Sequence, residues 1–417
     1  MAVVRSFRAL RYTSRAGSLE DLVAPPYDVI DARERARLAA LGEANVIHLI
    51  LPEGDEPYRT AAASLAKWRE RGWLATDEQP AMFLYAQRFA DRGGSVERWG
   101  VLAALELQPF SARVVLPHER TLAAPKADRL NLIRACRTNL SPIFGLVDAS
   151  LDLASLSAHA EPMAAFEDRA GVGQRLWRIN DPEVVAHLAK RIGPEQVFIA
   201  DGHHRYEISL AYRDERRREA PEAAAPRSFD FVLAYLCSTR DPGLVVQPTH
   251  RLLAQAPPDE LPGAWARRCR VTAFDDPRTL ATALAADPGH AEGQTSIDRR
   301  PRVGVVLRGS PRSWLLEADD ASADRLSALP VELRGLDVSF LHEVVLPGIG
   351  ADRFEYTHDD AEALAAVARG GAALAVLLPP PQVGDVLRIS RASLTMPQKS
   401  TYFHPKVLTG LVFHALD

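Results

Sequence analysis

The sequence has few cysteines and no strong charge of either sign. Its 417 residues include three cysteines, Cys136, Cys237 and Cys269, which lie far apart and form no CxxC pair. A disulfide scaffold is therefore excluded, and we expect reduced core thiols in a cytoplasmic protein. The 50 lysines and arginines nearly balance the 54 aspartates and glutamates, giving a net charge of −4. Because no overall basic field is present, nucleic acid is not an expected partner.

Long hydrophobic runs are also missing. No apolar stretch approaches the ~18 residues that a membrane helix needs, and the first residues lack the charged-then-apolar layout of a signal peptide. A membrane partner is therefore not expected. With 47% hydrophobic and 25% charged residues, the composition is that of an ordinary globular protein. At roughly 150 residues per domain, the length predicts two or three domains.

The most readable part of the chain is a strand, helix, strand, helix order. A β-rich run covers 175–179, a helical pattern covers 182–192, an apolar run covers 196–200, and a charged helical segment extends to Arg218. This alternation favours an α/β domain. A short apolar helix is predicted from Val407 to the end.

A hairpin is predicted earlier in the chain. The β-rich runs 81–90 and 99–110 flank Gly93-Gly94, which supplies the positive φ angles that a tight turn needs.

The segment Asp201-Gly202-His203-His204-Arg205 stands where the apolar run ends and the charged helix begins. Backbone N–H groups and the positive end of the helix dipole point to one spot there, which favours an anion. Gly202 lets the backbone approach a phosphate, Arg205 offers a planar fork, and a histidine ring can donate. Asp201 is placed to hold Mg²⁺ or to accept a proton.

A purely structural interpretation of this segment stays open. Asp201 would then only cap the helix, one histidine would pack in the core, and Arg205 would pair with Glu207 or Asp214. A zinc site is disfavoured, because adjacent histidines lack the i, i+4 spacing of a helical metal pair.

Seven ordered blocks of sequence resemble one family. They are VAPPYDVI (23–30), LPHERT (116–121), PKADRL (125–130), NLSPIF (139–144), ADGHHRYE (200–207), DPGL with PTHR (241–244, 248–251), and MPQKSTYFHPK (396–406). Together they are similar to the bacterial and archaeal domain-of-unknown-function 1015 family. The resemblance runs from end to end, but the name of the family supplies no reaction.

The DGHHR segment also resembles the phosphate-gripping motif of the ParB/sulfiredoxin fold, and most closely that of the free serine kinases. This resemblance implies that Gly202, His203, His204 and Arg205 bind the phosphates of ATP or ADP, with Mg²⁺. It implies an α/β (α+β) fold, with a ParB/sulfiredoxin-like nucleotide-binding domain carrying insertions over 1–250. A second α/β domain would follow over 251–417.

A kinase also needs a carboxylate that accepts the proton of the attacking hydroxyl. The candidates are Glu119, Asp28 and Asp201. We favour Glu119, because the basic side chains around it would suit a phosphate-rich pocket; they are His118, Arg120, Lys126 and Arg129. Alternatively, Asp28 only forms a turn and Glu119 only pairs with Arg120.

A second basic, hydroxyl-rich loop is a further candidate anion site and contains Lys399, Ser400, Thr401 and Lys406. The resulting hypothesis is a nucleotide-dependent kinase acting on a hydroxyl of a small molecule, with free L-serine as first candidate. The alternatives are a ParB-like nucleotide-dependent switch and a phosphohydrolase acting on a small phosphorylated metabolite. A homodimer is left open.

Overall fold

The computed structural model describes residues 1–91, 93–121, 123–220, 226–255, 261–285, 296 and 299–416. The chain divides into two compact units. The first unit consists of Met1–Pro117, Thr121–Val245 and Pro405–Asp417, and the second unit consists of His118–Arg120 and Val246–His404.

The strands are numbered in chain order. They are β1 (Val4–Arg5), β2 (Leu10–Tyr12), β3 (Leu74–Thr76), β4 (Met82–Asp91), β5 (Gly94–Glu106), β6 (Val115–Leu116), β7 (Thr138–Asn139), β8 (Ile143–Val147), β9 (Glu161–Glu167), β10 (Gly173–Ile179), β11 (Val197–Asp201), β12 (Phe231–Ser238), β13 (Val245–Gln247), β14 (His250–Leu253), β15 (Arg270–Phe274), β16 (Arg302–Leu307), β17 (Ser313–Glu317), β18 (Glu355–Thr357), β19 (Leu374–Leu377), β20 (Tyr402–His404) and β21 (His414–Ala415).

The helices are numbered in the same way. They are α1 (Leu19–Leu22), α2 (Ala32–Ala39), α3 (Ile47–Ile50), α4 (Pro57–Glu70), α5 (Ala123–Cys136), α6 (Leu153–Leu156), α7 (Pro182–Ile192), α8 (His203–Glu219), α9 (Leu261–Ala266), α10 (Pro277–Ala285), α11 (Asp320–Ser327), α12 (Val331–Arg334), α13 (Asp337–Phe340), α14 (Asp360–Ala368) and α15 (Val383–Arg391).

The first unit is built on one large mixed sheet. Its strand order is β6-β11-β8-β12-β5-β4-β10-β9, and β1 pairs with β5. The pairs β6/β11 and β8/β12 are parallel, whereas β11/β8, β12/β5 and β5/β4 are antiparallel. Every residue of β8 and β12 is buried, because both faces of these central strands are covered, so their sequences are continuous apolar runs. The predicted α/β class is confirmed.

Helix α7 shows how local sequence places a helix on this sheet. The carboxylate of Asp181 accepts a hydrogen bond from the N–H of Glu183 at 2.8 Å, and Pro182 occupies the first helical position. Both features favour a helix start. The helix then buries Leu188 and Ile192 in the core of the sheet. The predicted hairpin and the predicted order of strand, helix, strand and helix are likewise present as β4/β5 and as β10, α7, β11 and α8.

The C-terminal segment returns to the first unit. Backbone hydrogen bonds join Leu10 to Phe413 and Ala24 to Thr409 in both directions, at 2.8 to 3.1 Å. Phe413 is fully buried among the N-terminal helices. The predicted helix from Val407 is therefore wrong, because its backbone groups pair with distant segments instead. The second unit also differs from the predicted domain 251–417 at its C-terminal end. The last 13 residues, Pro405–Asp417, belong to the first unit.

The second unit contains a six-stranded antiparallel sheet of order β15-β17-β16-β19-β14-β18. Helices α10 and α14 cover it and bury Leu280, Leu284 and Val367. The short segment 118–120 joins this unit, because the N–H of Met396 donates to the carbonyl of His118 at 2.8 Å. In the part of the chain that is described, no helix has both the length and the apolarity needed to cross a membrane.

Gly100 in β5 provides a test of the packing in the central sheet. A Cβ at this position would lie 2.2 Å from ring carbons of the buried Tyr235 on β12. We expect Gly100→Ala to lower the free energy of unfolding by about 3 kcal/mol, measured by urea denaturation. The matched control is Gly94→Ala in the same strand, where a Cβ would approach only the carbonyl of Asp91, at 3.7 Å. Equal losses in both variants would contradict this packing.

Candidate functional site

The turn between β11 and α8 depends on Gly202. Its φ of 88° lies in the left-handed region, and a Cβ there would come within 2.9 Å of Cζ of Arg205. The N-cap residue of α8 is Gly202, which has no side chain to cap the helix. Asp201 does more than cap this helix, because its carboxylate pairs with Arg205 and Lys406. The positive end of the α8 dipole instead adjoins charged side chains.

Three charged side chains meet at the N-terminal end of α8. The carboxylate of Asp201 accepts hydrogen bonds from the guanidinium of Arg205 and from the ammonium of Lys406. Each of these side chains is only 11–12% exposed. Arg205 also donates to the carbonyl of Pro142. Two cations therefore face one carboxylate at this helix start, an arrangement that favours binding of an anion.

The ionisation of Asp201 reflects this pairing. Burial acts to raise the pKa of Asp201 and is the largest single influence, but Lys406, Arg205 and His203 together outweigh it and lower the pKa well below its ordinary value. Asp201 is therefore a carboxylate at neutral pH, and it acts as the counter-ion that keeps two cations in place.

Arg205 and Arg129 line the same cavity, which has an open volume of about 510 Å³. Tyr27 also lines it, and Cζ of Arg129 lies 4.6 Å from the centroid of the Tyr27 ring. Burial raises the pKa of Tyr27, Asp28 raises it further, and Arg205 and Arg129 lower it. Most of the remaining wall is apolar or neutral, and includes Ile50, Leu132, Ile133, Asn139, Ser141 and Ile208.

The pairing of β8 with β11 explains why the sequence blocks NLSPIF and ADGHHRYE lie next to each other. These strands are antiparallel, and Asp201 at the end of β11 lies opposite Phe144 near the start of β8. The residue before β8, Pro142, is thereby brought to Arg205. The C-terminal return supplies Lys406, anchored because its carbonyl accepts from Nε2 of Gln87 at 3.0 Å.

Other predicted ligands lie elsewhere in the first unit or are paired differently. His203 is buried, His204 is half-buried and Asp28 is exposed. Lys126 pairs with Glu207, which also accepts from Thr121 at 2.8 Å. The alternative partners considered for Arg205, Glu207 and Asp214, are thus engaged with Lys126 and Arg213.

Glu119 belongs to the second unit, where it joins the loop of Lys399, Ser400 and Thr401. Its carboxylate accepts from the N–H of Lys399 at 3.3 Å. Nε2 of His118 lies 2.8 Å from Oγ1 of Thr401, and the hydroxyl of Ser400 donates to the carbonyl of Pro397 at 2.5 Å. Lys126 and Arg129, predicted to surround Glu119, are residues of the first unit.

The predicted Mg²⁺ ligand does not fit its surroundings. Both carboxylate oxygens of Asp201 already accept from cations. A divalent ion placed there would face two positive charges. Among the described residues, no three histidine, cysteine, aspartate or glutamate side chains are grouped as metal ligands.

Tyr27 is missed as a ligand by the sequence analysis, which groups Lys406 with the anion site of Lys399, Ser400 and Thr401 rather than with Arg205. Tyr27 lies within VAPPYDVI and Lys406 ends MPQKSTYFHPK, so both blocks carried the signal. Their position beside Arg205 depends on long-range folding that no local pattern specifies.

The charge cluster makes a pH-dependent prediction. Since the pKa of Asp201 is lower in the folded chain, its contribution to stability is fully present above about pH 4 and is lost as the pH falls through the folded value. Asp201→Asn leaves two poorly exposed cations without this counter-ion, so we expect the free energy of unfolding to fall by about 3 kcal/mol at pH 7. The variant and the unsubstituted protein should become more similar in stability as the pH falls. Urea denaturation of both proteins between pH 3 and about pH 7 measures this difference.

The control for this experiment is Asp214→Asn, which removes a mostly exposed partner of Arg213 and is expected to change stability little. The assignment would be refuted if Asp201→Asn were as stable as the unsubstituted protein at pH 7, or if its loss of stability grew as the pH falls.

Solved structures similar to this chain include a free serine kinase variant in complex with ADP, with 12% identity and a TM-score of 0.35. That match covers 74% of this chain and 92% of the kinase. A conserved hypothetical protein from Pyrococcus furiosus matches with 11% identity and a TM-score of 0.35, covering 74% and 95%. SbnI from Staphylococcus aureus matches with 8% identity and a TM-score of 0.30, covering 74% and 85%. Similarities this distant assign no activity.

No curated protein matches the chain. A family model does match, over residues 4–339, and it is described as a protein of unknown function, DUF1015. It spans the strands of the large sheet, the β11–α8 turn and much of the second unit. The chain therefore belongs to the DUF1015 family.

Proposed function

We propose that this protein is a nucleotide-dependent kinase that transfers a phosphoryl group from ATP or ADP to a hydroxyl of a small molecule, with free L-serine as first candidate. The observation that carries the proposal is the cluster at the start of α8. Arg205 and Lys406 are held there by one carboxylate, beside a helix start whose N-cap residue is a glycine. Such a helix terminus suits a phosphate.

The cluster supplies what phosphoryl transfer needs most. The protein does little covalent work in this reaction, and catalysis rests on positioning and on neutralising charge. Arg205 would bind phosphate oxygens through its planar fork, and Lys406 would act as a point charge. Asp201 orients both cations before the nucleotide arrives. Any Mg²⁺ would arrive with the phosphates of the nucleotide.

The cavity beside the cluster suits the rest of a nucleotide. Arg205 and Arg129 both line it, so a polyphosphate bound there would have two cations beside it. The apolar side chains Leu132, Ile133 and Ile208 offer a surface on which a base can pack.

The general base has two candidates. Glu119 remains the first, in the segment that joins the second unit, where it already accepts from a backbone N–H. Asp28 is the second, next to Tyr27 in the first unit. Its exposed carboxylate is not occupied by a described ion pair.

The basic run on α8 supports a small-molecule role over a DNA-dependent switch. Arg213 pairs with Asp214, Arg216 with Glu219, and Arg217 with Asp230. Arginines that are neutralised in this way do not form a basic surface that could bind the phosphate backbone of DNA.

The direct test is phosphorus NMR of the full chain incubated with Mg²⁺ and ATP or ADP and a panel of hydroxylated metabolites that includes L-serine. We expect a new phosphoester with at least one acceptor. Release of inorganic phosphate alone would favour the phosphohydrolase alternative, and no product with any acceptor would overturn the kinase proposal. In the same assay, Glu119→Gln should preserve nucleotide binding and depress turnover. If Asp28→Asn does so instead, the base is Asp28.

Nucleotide binding is tested separately by calorimetry. Arg205→Ala removes a charge-assisted phosphate contact worth about 1.5 to 3 kcal/mol, so we expect affinity for ADP to fall about tenfold or more. The control is Arg134→Ala on α5, which is 47% exposed and pairs with Glu215. Unchanged affinity in Arg205→Ala, or an equal loss in the control, would mean that the turn has no phosphate role.

A further inference from the structure

The second unit contains a buried arginine that forms no ion pair with any described carboxylate. Arg251 lies in β14 and is 1% exposed. Its guanidinium donates to the carbonyl of Thr249 and, at 3.0 Å, to the carbonyl of Lys399. Cζ lies 5.6 Å from the centroid of the Tyr356 ring. These neutral partners hold the side chain in place without cancelling its charge.

The charge on Arg251 persists at neutral pH. Burial lowers the pKa of Arg251 to about 10, whereas Tyr356 and Glu119 act in the opposite direction. Glu119 acts through space and accepts its hydrogen bond from Lys399 instead. A buried cation that no carboxylate hydrogen-bonds is costly, which favours an anion bound beside it.

Two buried polar atoms lack a hydrogen-bond partner among the described residues. One is Nε of Arg251 itself, and the other is Oγ1 of Thr249. Thr249 is 2% exposed, and both residues line one pocket. An arginine N–H and a threonine hydroxyl are both donors to an oxyanion.

The other charges in the cavity wall are balanced. Asp337 pairs with Arg299 through both carboxylate oxygens. Asp385 accepts from Arg388 at 2.7 Å and from the N–H of Ser296 at 2.9 Å. Both carboxylates of the wall thus have an arginine partner, whereas Arg251 forms no ion pair with a described carboxylate. A single guanidinium without an ion pair suits a monoanion, and the two wall carboxylates would repel a dianion.

The remainder of the wall is mainly apolar. It includes Leu336, Val338, Leu378, Pro379 and Met396. A ligand that enters here would therefore present one anionic group to Arg251 and a hydrocarbon body to these side chains.

We propose that this cavity binds a small monocarboxylic acid, with its carboxylate held by Arg251 and Thr249 and its apolar body against Leu378 and Met396. Two of the family-like blocks, PTHR and MPQKST, supply residues of this site. The proposal does not rest on the kinase activity, because every residue it uses belongs to the second unit.

The test is calorimetric titration of the full chain at pH 7 with acetate, butyrate, isovalerate and inorganic phosphate. We expect saturable binding of butyrate or isovalerate, tighter than that of acetate because of the larger apolar body, and no tighter binding of phosphate. Arg251→Lys should weaken carboxylate binding about tenfold, since the ammonium lacks the guanidinium fork. Thr249→Val keeps the shape of the side chain and should weaken binding several-fold.

Two controls separate this site from other effects. Thr272→Val changes an exposed position of β15, and Arg205→Lys changes the cluster of the first unit. Both should bind butyrate as the unsubstituted chain does. If Arg251→Lys does not fold, the proposal is tested by comparing the butyrate affinity of Thr249→Val with that of Thr272→Val.

Three results would overturn the proposal. The first is that no carboxylate binds at ligand concentrations up to about 10 mM, a range in which only very weak binding would escape detection. The second is binding that neither Arg251→Lys nor Thr249→Val weakens. The third is phosphate binding that exceeds that of every carboxylate and depends on Arg251, which would assign the cavity to phosphate instead.

Discussion

The pairing of Asp201 with Arg205 and Lys406 joins three parts of the first unit. Asp201 ends β11, Arg205 stands in the first turn of α8, and Lys406 begins the C-terminal return. One carboxylate thus holds two cations at the start of α8. The same contact therefore stabilises the fold and prepares the site for an anion. Arg205 also fixes the start of β8 through the carbonyl of Pro142.

Local features of the fold could be predicted from the sequence, and long-range ones could not. The hairpin β4/β5 and the order β10, α7, β11, α8 follow from hydrophobic periodicity, Gly93-Gly94 and the Asp181-Pro182 helix start. The C-terminal helix was wrongly predicted because short apolar runs do not reveal a distant backbone partner. For the site, Gly202 and Arg205 carried a recognisable pattern. Lys406 became a neighbour of Asp201 only through a return of 205 positions along the chain.

The family-like blocks contribute to two chemically different places. VAPPYDVI, PKADRL, NLSPIF and DGHHR surround the cavity of the first unit, where cations exceed carboxylates at a helix start. LPHERT, PTHR and MPQKST meet in the second unit, where Arg251 keeps an uncompensated charge. Glu119 could not be placed from sequence, because its neighbour Lys399 lies 280 positions away. Each place has a poorly exposed arginine beside a pocket, and we propose an anion of different size for each.

The most direct test of the central claim is a crystal structure of the full chain with ADP. The account predicts the diphosphate at the start of α8, with its oxygens in contact with Arg205 and Lys406 and the nucleoside in the cavity lined by Arg129. A diphosphate bound elsewhere, or no bound nucleotide at saturating ADP while Asp201 keeps both cations, would contradict it.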